Sequence, residues 1–302
     1  VIVIIGFVLI SGLYFVKSIV IPVREVIAAA KRFATGDMST RIQKKSDDEM
    51  GDLTDVINYM ADEITASEKM KNDFISSVSH ELRTPLTAIK GWSETMALCD
   101  PVSDRSTVMR GLSVVNDEVE RLSHMVEELL DFSRIQSGRM RVMMENVDLY
   151  AEVEQVILIM RERAAKARIA LQFNVPEDIN IVVLGDADRL NQVFINILDN
   201  AIKHSSEDTT IKISIVETAT HAAVCIEDAG EGIPADELPH IKEKFFKGTS
   251  SKRGTGLGLA VADEIVRLHG GTLVIESELG RGTKVTIVLP KKAPPAPEEE
   301  AE

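Results

Sequence analysis

A histidine followed at once by an acid stands in FISSVSHELRTPLTAIKGW, residues 74–92. The apolar residues of this stretch recur at alternating steps of three and four, which predicts a coiled-coil seam over three heptads. With Ile75 at position a, His80 falls at f, the position furthest from the seam. We therefore expect His80 to be an exposed nucleophile, although spacing alone fits an inert, solvated histidine equally well. The seam positions are Ile75, Val78, Leu82, Pro85, Ile89, Trp92 and Met96.

Glu81 and Thr84 are the polar neighbours of His80. We expect Glu81 to lie on the exposed side of the helix, as His80 does. Because residues at i and i+1 do not face each other, only a bent rotamer of Glu81 could reach the imidazole. Thr84 lies at i+4, on the same face one turn away. Pro85 lacks an N–H and leaves the Glu81 carbonyl unpaired, which predicts a loosened or bent helix below His80.

A second polar set lies on a predicted helix over residues 187–204. Asn196 and Asn200 are four residues apart, and Lys203 follows on the same side. Amide oxygens can complete the coordination of a phosphate-bound Mg²⁺, and the lysine offers a positive charge to phosphate oxygens. The alternative is a solvated polar stripe.

Two glycine-rich stretches follow. In EDAGEGIP, residues 227–234, Asp228 can accept a hydrogen bond from an adenine amine, while Gly230 and Gly232 let the backbone approach the base. GTGLGLA, residues 254–260, opens a predicted helix, and its glycines leave backbone N–H groups open to phosphate. It is neither a Walker A loop nor a dinucleotide fingerprint. The polar segment between the stretches, with Phe245 and Phe246 in its middle, predicts a mobile lid with an aromatic latch.

The composition excludes some classes of function. The net charge of the 302-residue chain is −14, which argues against a nucleic-acid partner because phosphate binding needs clustered Lys and Arg. Cys99 and Cys225 lie in unrelated segments, so neither a disulfide framework nor a zinc site is expected.

The chain begins with sixteen uncharged residues, VIVIIGFVLISGLYFV. We expect the end of a transmembrane helix that starts before residue 1; the alternative is a buried core helix. Lys17, Arg24, Lys31 and Arg32 follow, and by the positive-inside rule the chain after about residue 17 is cytoplasmic.

Residues 17–69 predict two short helices with coiled-coil seams, which cannot be buried within one chain and so imply a parallel dimer. The segment resembles a HAMP signalling module, and an ordinary helical hairpin is the alternative. The residues that carry the resemblance are Pro22, Gly36, Asp37, Glu49, Gly51, Asn58 and Met60.

The fold class expected is multidomain. A second seam over residues 108–129 would pair with the His80 helix in an antiparallel hairpin, and two chains would complete a four-helix bundle. From about residue 139 to 290, strands and helices mix without strict alternation, which predicts an α+β sandwich with one sheet covered by helices. The Pro- and Glu-rich tail, residues 291–302, is expected to be disordered.

Together the motifs closely resemble a bacterial two-component sensor histidine kinase over roughly residues 17–290. SHELRTPL is similar to the H box, NQVFINILDNAIKHS to the N box, EDAGEGIP to the G1 box, KEKFF to the F box and GTGLGLA to the G2 box. The resemblance implies dimerisation and histidine phosphotransfer in residues 70–138 and ATP binding in residues 139–290. The chain departs from the family pattern at Lys242 and His204, where many relatives carry apolar or aromatic residues.

The resemblance also implies roles for individual residues. His80 would be the phosphoacceptor, Glu81 the general base and Thr84 the phosphatase-motif residue. Mg-ATP would lie against the N, G1, F and G2 boxes, with Asn196 and Asn200 at the metal, and a response regulator would receive the phosphoryl group at the bacterial cell membrane. The nucleotide-binding residues expected are Asn196, Asn200, Lys203, His204, Asp228, Gly230, Gly232, Phe245, Phe246, Gly254, Thr255, Gly256, Leu257 and Gly258.

Two other interpretations stay open at the level of sequence. An ATPase of the same superfamily, of the chaperone or mismatch-repair type, shares the Asn helix and the glycine loops. It has no reason to carry a histidine at the exposed position of a coiled-coil register. A catalytically dead signalling scaffold would be expected to have lost Asn200, Asp228 or the glycine loop, and all three are present.

Overall fold

The computed structural model describes residues 1–100, 104–175, 181–248 and 255–291. The chain divides into two compact units, Val1–Val78 and Ser79–Glu302. The helices are α1 Ile2–Phe15, α2 Ile21–Ala34, α3 Glu49–Leu98, α4 Arg105–Gln136, α5 Leu149–Lys166, α6 Ala187–His204 and α7 Gly258–Leu268, with a π-helical segment at Val16–Val20. The strands are β1 Glu145–Asp148, β2 Ala170–Phe173, β3 Val182–Gly185, β4 Thr210–Glu217, β5 His221–Glu227, β6 Thr272–Glu278 and β7 Gly282–Pro290.

In the first unit, one helical run, Ile2–Ala34, is long and apolar enough to cross a membrane. Its length and composition would also suit a signal sequence or the core helix of a soluble protein, but none of its most apolar window is buried. Pro22 lies in the first turn of α2, directly after the π-helical segment Val16–Val20. Because the helical run is continuous there, its missing N–H leaves a carbonyl of the preceding turn without its helical donor.

A connector between α2 and α3 is held by side chains of α3. The Asn58 amide donates to the Ile42 carbonyl at 2.8 Å and accepts from the Ile42 N–H at 2.9 Å. A Cβ on Gly51 would lie 2.0 Å from the Ser46 carbonyl oxygen, so this position requires glycine. Two marks of the HAMP resemblance therefore have a structural reason.

In the second unit, α4 returns antiparallel along the end of α3. The Arg121 guanidinium reaches Glu81, while Arg110 lies over the Trp92 ring at 6.0 Å. Seam residues of this hairpin stay exposed on one face, among them Leu112 at 47% and Val119 at 48%. Pro85 lies inside α3, which is continuous from Glu49 to Leu98.

The expected α+β sandwich is confirmed. A five-stranded sheet has the order β2-β4-β5-β7-β6; β2 and β4 are parallel and the other neighbours are antiparallel. Helices α5, α6 and α7 pack on the sheet, and β1 and β3 form a separate antiparallel pair. Alternate strand residues supply the core, as the two-residue side-chain period requires. The first strand, β1, begins at Glu145.

The predicted helix at residues 187–204 is confirmed as α6, because its apolar face is buried as the pattern requires. Leu190, Val193 and Phe194 are at most 1% exposed. Asp186 caps the helix by accepting from the Arg189 N–H at 3.2 Å, and its own N–H donates to His269 Nε2 at 2.9 Å. The start of α6 is therefore fixed by α7, through a buried histidine.

Candidate functional site

His80 is exposed on α3, as the seam register predicts. Thr84 is exposed one turn further on, and its hydroxyl donates to the His80 carbonyl at 3.5 Å. A bond of that length is weak, so the hydroxyl can turn toward another partner.

The expectation that Glu81 lies on the exposed side is wrong. Glu81 is only 8% exposed, and its two carboxylate oxygens bind the Arg121 guanidinium at 3.1 Å and the Lys247 ammonium at 2.9 Å. The heptad pattern of α3 could not show that Arg121 of α4 and Lys247, which follows the F box, place cations next to Glu81. With both oxygens held by cations, Glu81 is directed to Arg121 and Lys247 rather than to the imidazole.

Asn196 of α6 faces the start of α7. Asn196 Nδ2 donates to the Gly258 carbonyl at 3.3 Å, so the amide oxygen of Asn196 is the atom that could coordinate a metal. Asn200 is half-buried one turn along the same face. Loss of hydration lowers the pKa of Lys203, while the carboxylates of Asp199 and Glu81 act in the opposite direction. The donor set suits Mg²⁺, which takes one or two protein oxygens and otherwise keeps phosphate and water.

Asp228 lies at the end of β5, half-buried. Its Oδ1 accepts from the Gly230 N–H at 2.8 Å and from the Thr283 N–H at 3.2 Å. Burial raises the pKa of Asp228, and these two backbone bonds lower it. A carboxylate fixed through one oxygen presents the other in a defined direction, as recognition of a base amine needs.

The glycines around Asp228 are required by close backbone contacts. A Cβ on Gly230 would lie 2.3 Å from the His204 carbonyl oxygen, and Gly232 has a φ of +70° with the Glu278 carbonyl 2.1 Å from its Cβ position. The His204 imidazole Nδ1 lies 3.3 Å from a carboxylate oxygen of Glu231. His204 thus contributes to this turn through its carbonyl and its side chain.

The second glycine stretch begins α7. Gly256 has a φ of +71°, and its carbonyl accepts from the Phe245 N–H at 2.9 Å. Leu257 is fully buried and its N–H donates to Thr255 Oγ1 at 3.2 Å, so its side chain belongs to the core. Gly258 opens α7 beside Asn196. Gly254 lies outside the described residues, as does part of the expected lid, 249–254.

The aromatic pair of the F box has two different partners. The Phe245 ring meets the Phe132 ring of α4 edge-on, with 5.2 Å between centroids, and the Phe246 ring lies 6.0 Å from the His240 ring. Lys242 binds Asp263 of α7 at 2.7 Å and also the Leu273 carbonyl. Lys242 therefore attaches the start of the F box to α7 and β6 by polar contacts, at a position where an apolar residue is more usual in the family.

Sequence reasoning missed the acids of α4. Glu128 accepts from the Thr255 hydroxyl at 2.7 Å. Asp131, only 5% exposed, binds the Arg189 guanidinium at 3.0 Å and the Gln192 amide at 2.7 Å. Both acids lie in the run VEELLDF, where their heptad positions resemble solvated ones until α6 and α7 are placed against them.

The comparisons with known proteins agree with this arrangement of motifs. Residues 14–66 match the HAMP domain, residues 70–138 the His Kinase A (phospho-acceptor) domain, and residues 185–293 the histidine kinase-, DNA gyrase B- and HSP90-like ATPase. The chain belongs to the sensor histidine kinases. Its His80 lies within the phospho-acceptor match, and its glycine stretches lie within the ATPase match.

The relatives are sensor kinases of several bacteria. The histidine-protein kinase BaeS of Escherichia coli K12 is 31% identical over 278 residues, which are 91% of this chain and 58% of BaeS. The sensor histidine kinase YclK of Bacillus subtilis 168 is 32% identical over 283 residues, with 90% and 59% covered. The chain thus spans less than two thirds of the length of these relatives.

Solved structures show the same fold. The histidine kinase AdeS of Acinetobacter baumannii gives a TM-score of 0.54 at 29% identity, over 70% of this chain and 98% of that one. The histidine kinase ThkA, solved in complex with the response regulator protein TrrA, gives a TM-score of 0.57 at 25% identity, over 76% and 64%.

Proposed function

We propose that this chain binds Mg-ATP, transfers the γ-phosphoryl group to His80, and passes it from there to an aspartate of a response regulator. The observation that supports the proposal is the combination, in one chain, of an exposed histidine on the long helix α3 with an asparagine of α6 that contacts the glycine stretch at the start of α7. Another ATPase of the superfamily would need only the second feature, and a scaffold would need neither.

The residues divide the work of phosphoryl transfer among them. An imidazole nitrogen of His80 forms a bond to the γ-phosphorus as the bond to the bridging oxygen breaks and ADP leaves. Glu81 takes the proton that the imidazole loses, for which its carboxylate has to leave Arg121 or Lys247. Such transfer depends on in-line placement and on neutralised charge more than on covalent help.

The nucleotide site would be built from the N, G1 and G2 boxes. Asp228 would receive the adenine amine, and the backbone N–H groups at the start of α7 would receive phosphate oxygens. Asn196 and Asn200 would hold Mg²⁺, which neutralises phosphate charge when bound. Lys203 would add a positive charge on the same side, and His204 would support the turn beside the base.

We propose that the chain works as a membrane-bound homodimer. The apolar residues 1–16 would end a transmembrane helix, residues 17–69 would form the HAMP module, and 70–138 would pair with a second copy through the exposed seam. The ATP-binding domain would span 139–290 on the cytoplasmic side. The complex of ThkA with TrrA supports a response regulator as the second partner.

Substitution of Asn200 tests the nucleotide site. Asn200→Asp replaces a neutral donor-acceptor by an anion beside the expected phosphates, so most of the label transferred from γ-labelled ATP should be lost. The matched control is Asn174→Asp, an exposed residue after β2. Equal labelling of the Asn200 variant and the control, with unchanged circular dichroism, would contradict the proposed site.

A further inference from the structure

Three acids of the α3–α4 hairpin hold three groups of the ATPase fold. Glu81 binds Lys247 at 2.9 Å, Glu128 binds Thr255 at 2.7 Å, and Asp131 binds Arg189 at 3.0 Å. Phe132 adds its ring contact with Phe245. Polar contacts as well as an aromatic contact therefore hold the ATPase fold against the hairpin.

Of these three acids, Glu128 is the one that contacts the second glycine stretch, the proposed phosphate-binding loop. Besides its bond to Thr255, its Oε1 lies 3.6 Å from the Cβ position of Gly258, and the amide of Asn196 lies 3.9 Å from the same position. The carboxylate thus stands against the first residue of α7, where the helix N-terminus offers its open N–H groups. An anion is already present where phosphate oxygens are expected.

Glu128 is partly desolvated, so a second anion bound beside its carboxylate would be strongly repelled. Burial raises the pKa of the Glu128 carboxyl; the Thr255 hydroxyl and the charges of His124 and Lys203 act against that rise, and the Asp199 carboxylate adds to it. A nucleoside triphosphate would bring several further negative charges next to Glu128, where partial desolvation makes Coulomb repulsion strong.

From this geometry we infer that Glu128 is an internal competitor of the nucleotide phosphates. While the ATPase fold is docked on α4, the carboxylate occupies the phosphate loop, and binding of ATP requires it to leave. Glu128 therefore lowers the affinity for ATP, and ATP in turn weakens the docking by the same factor, because coupling between two binding events is reciprocal. The inference rests on the proposed function, since it assumes that this loop binds ATP.

The test compares Glu128→Gln with Glu127→Gln in the full chain in detergent micelles. Glutamine keeps the shape of the side chain and can still accept from Thr255, so the first variant removes only the charge. Glu127 is the exposed neighbour on α4, and its variant makes the same chemical change outside the loop. The probe is a fluorescent ATP analogue, displaced by Mg-ATP, Mg-ADP and adenosine.

We expect Glu128→Gln to bind ATP roughly tenfold more tightly than wild type, within the usual range for coupling between sites. The gain should be smaller for ADP and smallest for adenosine, because the competition is with phosphate charge; a change in general stability would affect all three alike. Glu127→Gln should match wild type.

The outcomes separate the inference from the proposed function. Equal, measurable ATP affinities for wild type and Glu128→Gln would overturn the competition and leave the ATP site in place. An equal gain for ATP and adenosine would also overturn it. If neither the wild type nor the variants bound the probe or ATP, the proposed function itself would be contradicted.

Discussion

At the scale of single residues, position on the helix separates the roles expected of His80, Glu81 and Thr84. His80 and Thr84 are exposed, whereas Glu81 is buried between two cations. The proposed response regulator could therefore reach Thr84, whereas Glu81 is accessible only to groups of this chain.

Thr84→Ala should separate the forward and reverse reactions. The hydroxyl of Thr84 could hold a water in line with a phosphoryl group on the aspartate of a docked regulator, and alanine removes it while favouring the helix. We expect near-normal labelling of His80, but phosphorylated regulator mixed with the variant and ADP should decay at about its intrinsic rate. Thr95→Ala, which removes a similar bond to a backbone carbonyl, is the control.

The alternative is that Thr84 only supports the turn before Pro85. Dephosphorylation by Thr84→Ala at the rate of wild type and of the Thr95 variant would establish that alternative.

His269 predicts a pH dependence of stability. Its Nε2 accepts from the Asp186 N–H, so its Nδ1 carries the proton and donates to the Ile265 carbonyl at 2.7 Å. Burial lowers the pKa of His269 in the folded chain. The unfolded chain binds a proton near pH 6.5, so this residue's stabilisation is present above that pH and is lost below it, by up to about 1.4 kcal/mol per pH unit.

The measurement is urea unfolding of wild type and His269→Gln, followed by circular dichroism at pH 7.5 and at pH 5.5. The stability difference between the two proteins should be larger at pH 7.5. A difference for His269→Gln that is independent of pH would refute the assignment of a neutral, buried imidazole.

At the scale of elements, α3 joins two seams that are out of phase. Seam positions at 57, 60 and 64 continue through Ser67 and Lys71 to Ile75 and Val78, with two successive steps of four. Such a stutter locally unwinds a left-handed supercoil, and the polar residues at 67 and 71 make packing there poor. The helix nevertheless runs through without interruption.

Deletion of residues 68–71 removes the extra step of four and makes the heptads continuous. We expect the deletion to lock the chain in either the kinase or the phosphatase state, because two registers close in energy would no longer be available. Deletion of residues 65–71 shortens the helix by one heptad but keeps the stutter. We expect this variant to retain both the kinase and the phosphatase state. Unchanged kinase and phosphatase rates after the four-residue deletion would rule out this junction as the switch.

How far the sequence predicts these elements depends on where their partners come from. The apolar residues of α6 and of β4 to β7 recur with helical and strand periods because one face of each element packs in the core of a single sheet. The bounds of these elements could therefore be derived from the sequence to within about a residue or two. The burial of Glu81 and the contacts of Glu128 and Asp131 could not, because their partners are 40 or more residues away. A heptad pattern shows which face of a helix is apolar but not which polar residue meets a distant loop.

At the scale of the whole molecule, the structure brings Glu81, the neighbour of His80, against Lys247, which lies 166 residues further along the chain. The three matched domains follow one another along the chain, and the acids of α4 link the hairpin to the ATPase fold. We propose that the γ-phosphoryl group of ATP bound at residues 196–258 ends on His80.

The chemical identity of the labelled site tests this phosphoryl transfer. The full chain in detergent is incubated with γ-labelled ATP and Mg²⁺, beside His80→Gln, and the label is treated with acid and with base. We predict acid-labile, base-stable label in wild type, as expected for a phosphoramidate, and none in His80→Gln, which should still bind ATP. Label that resists acid, or that persists in His80→Gln, would contradict the account.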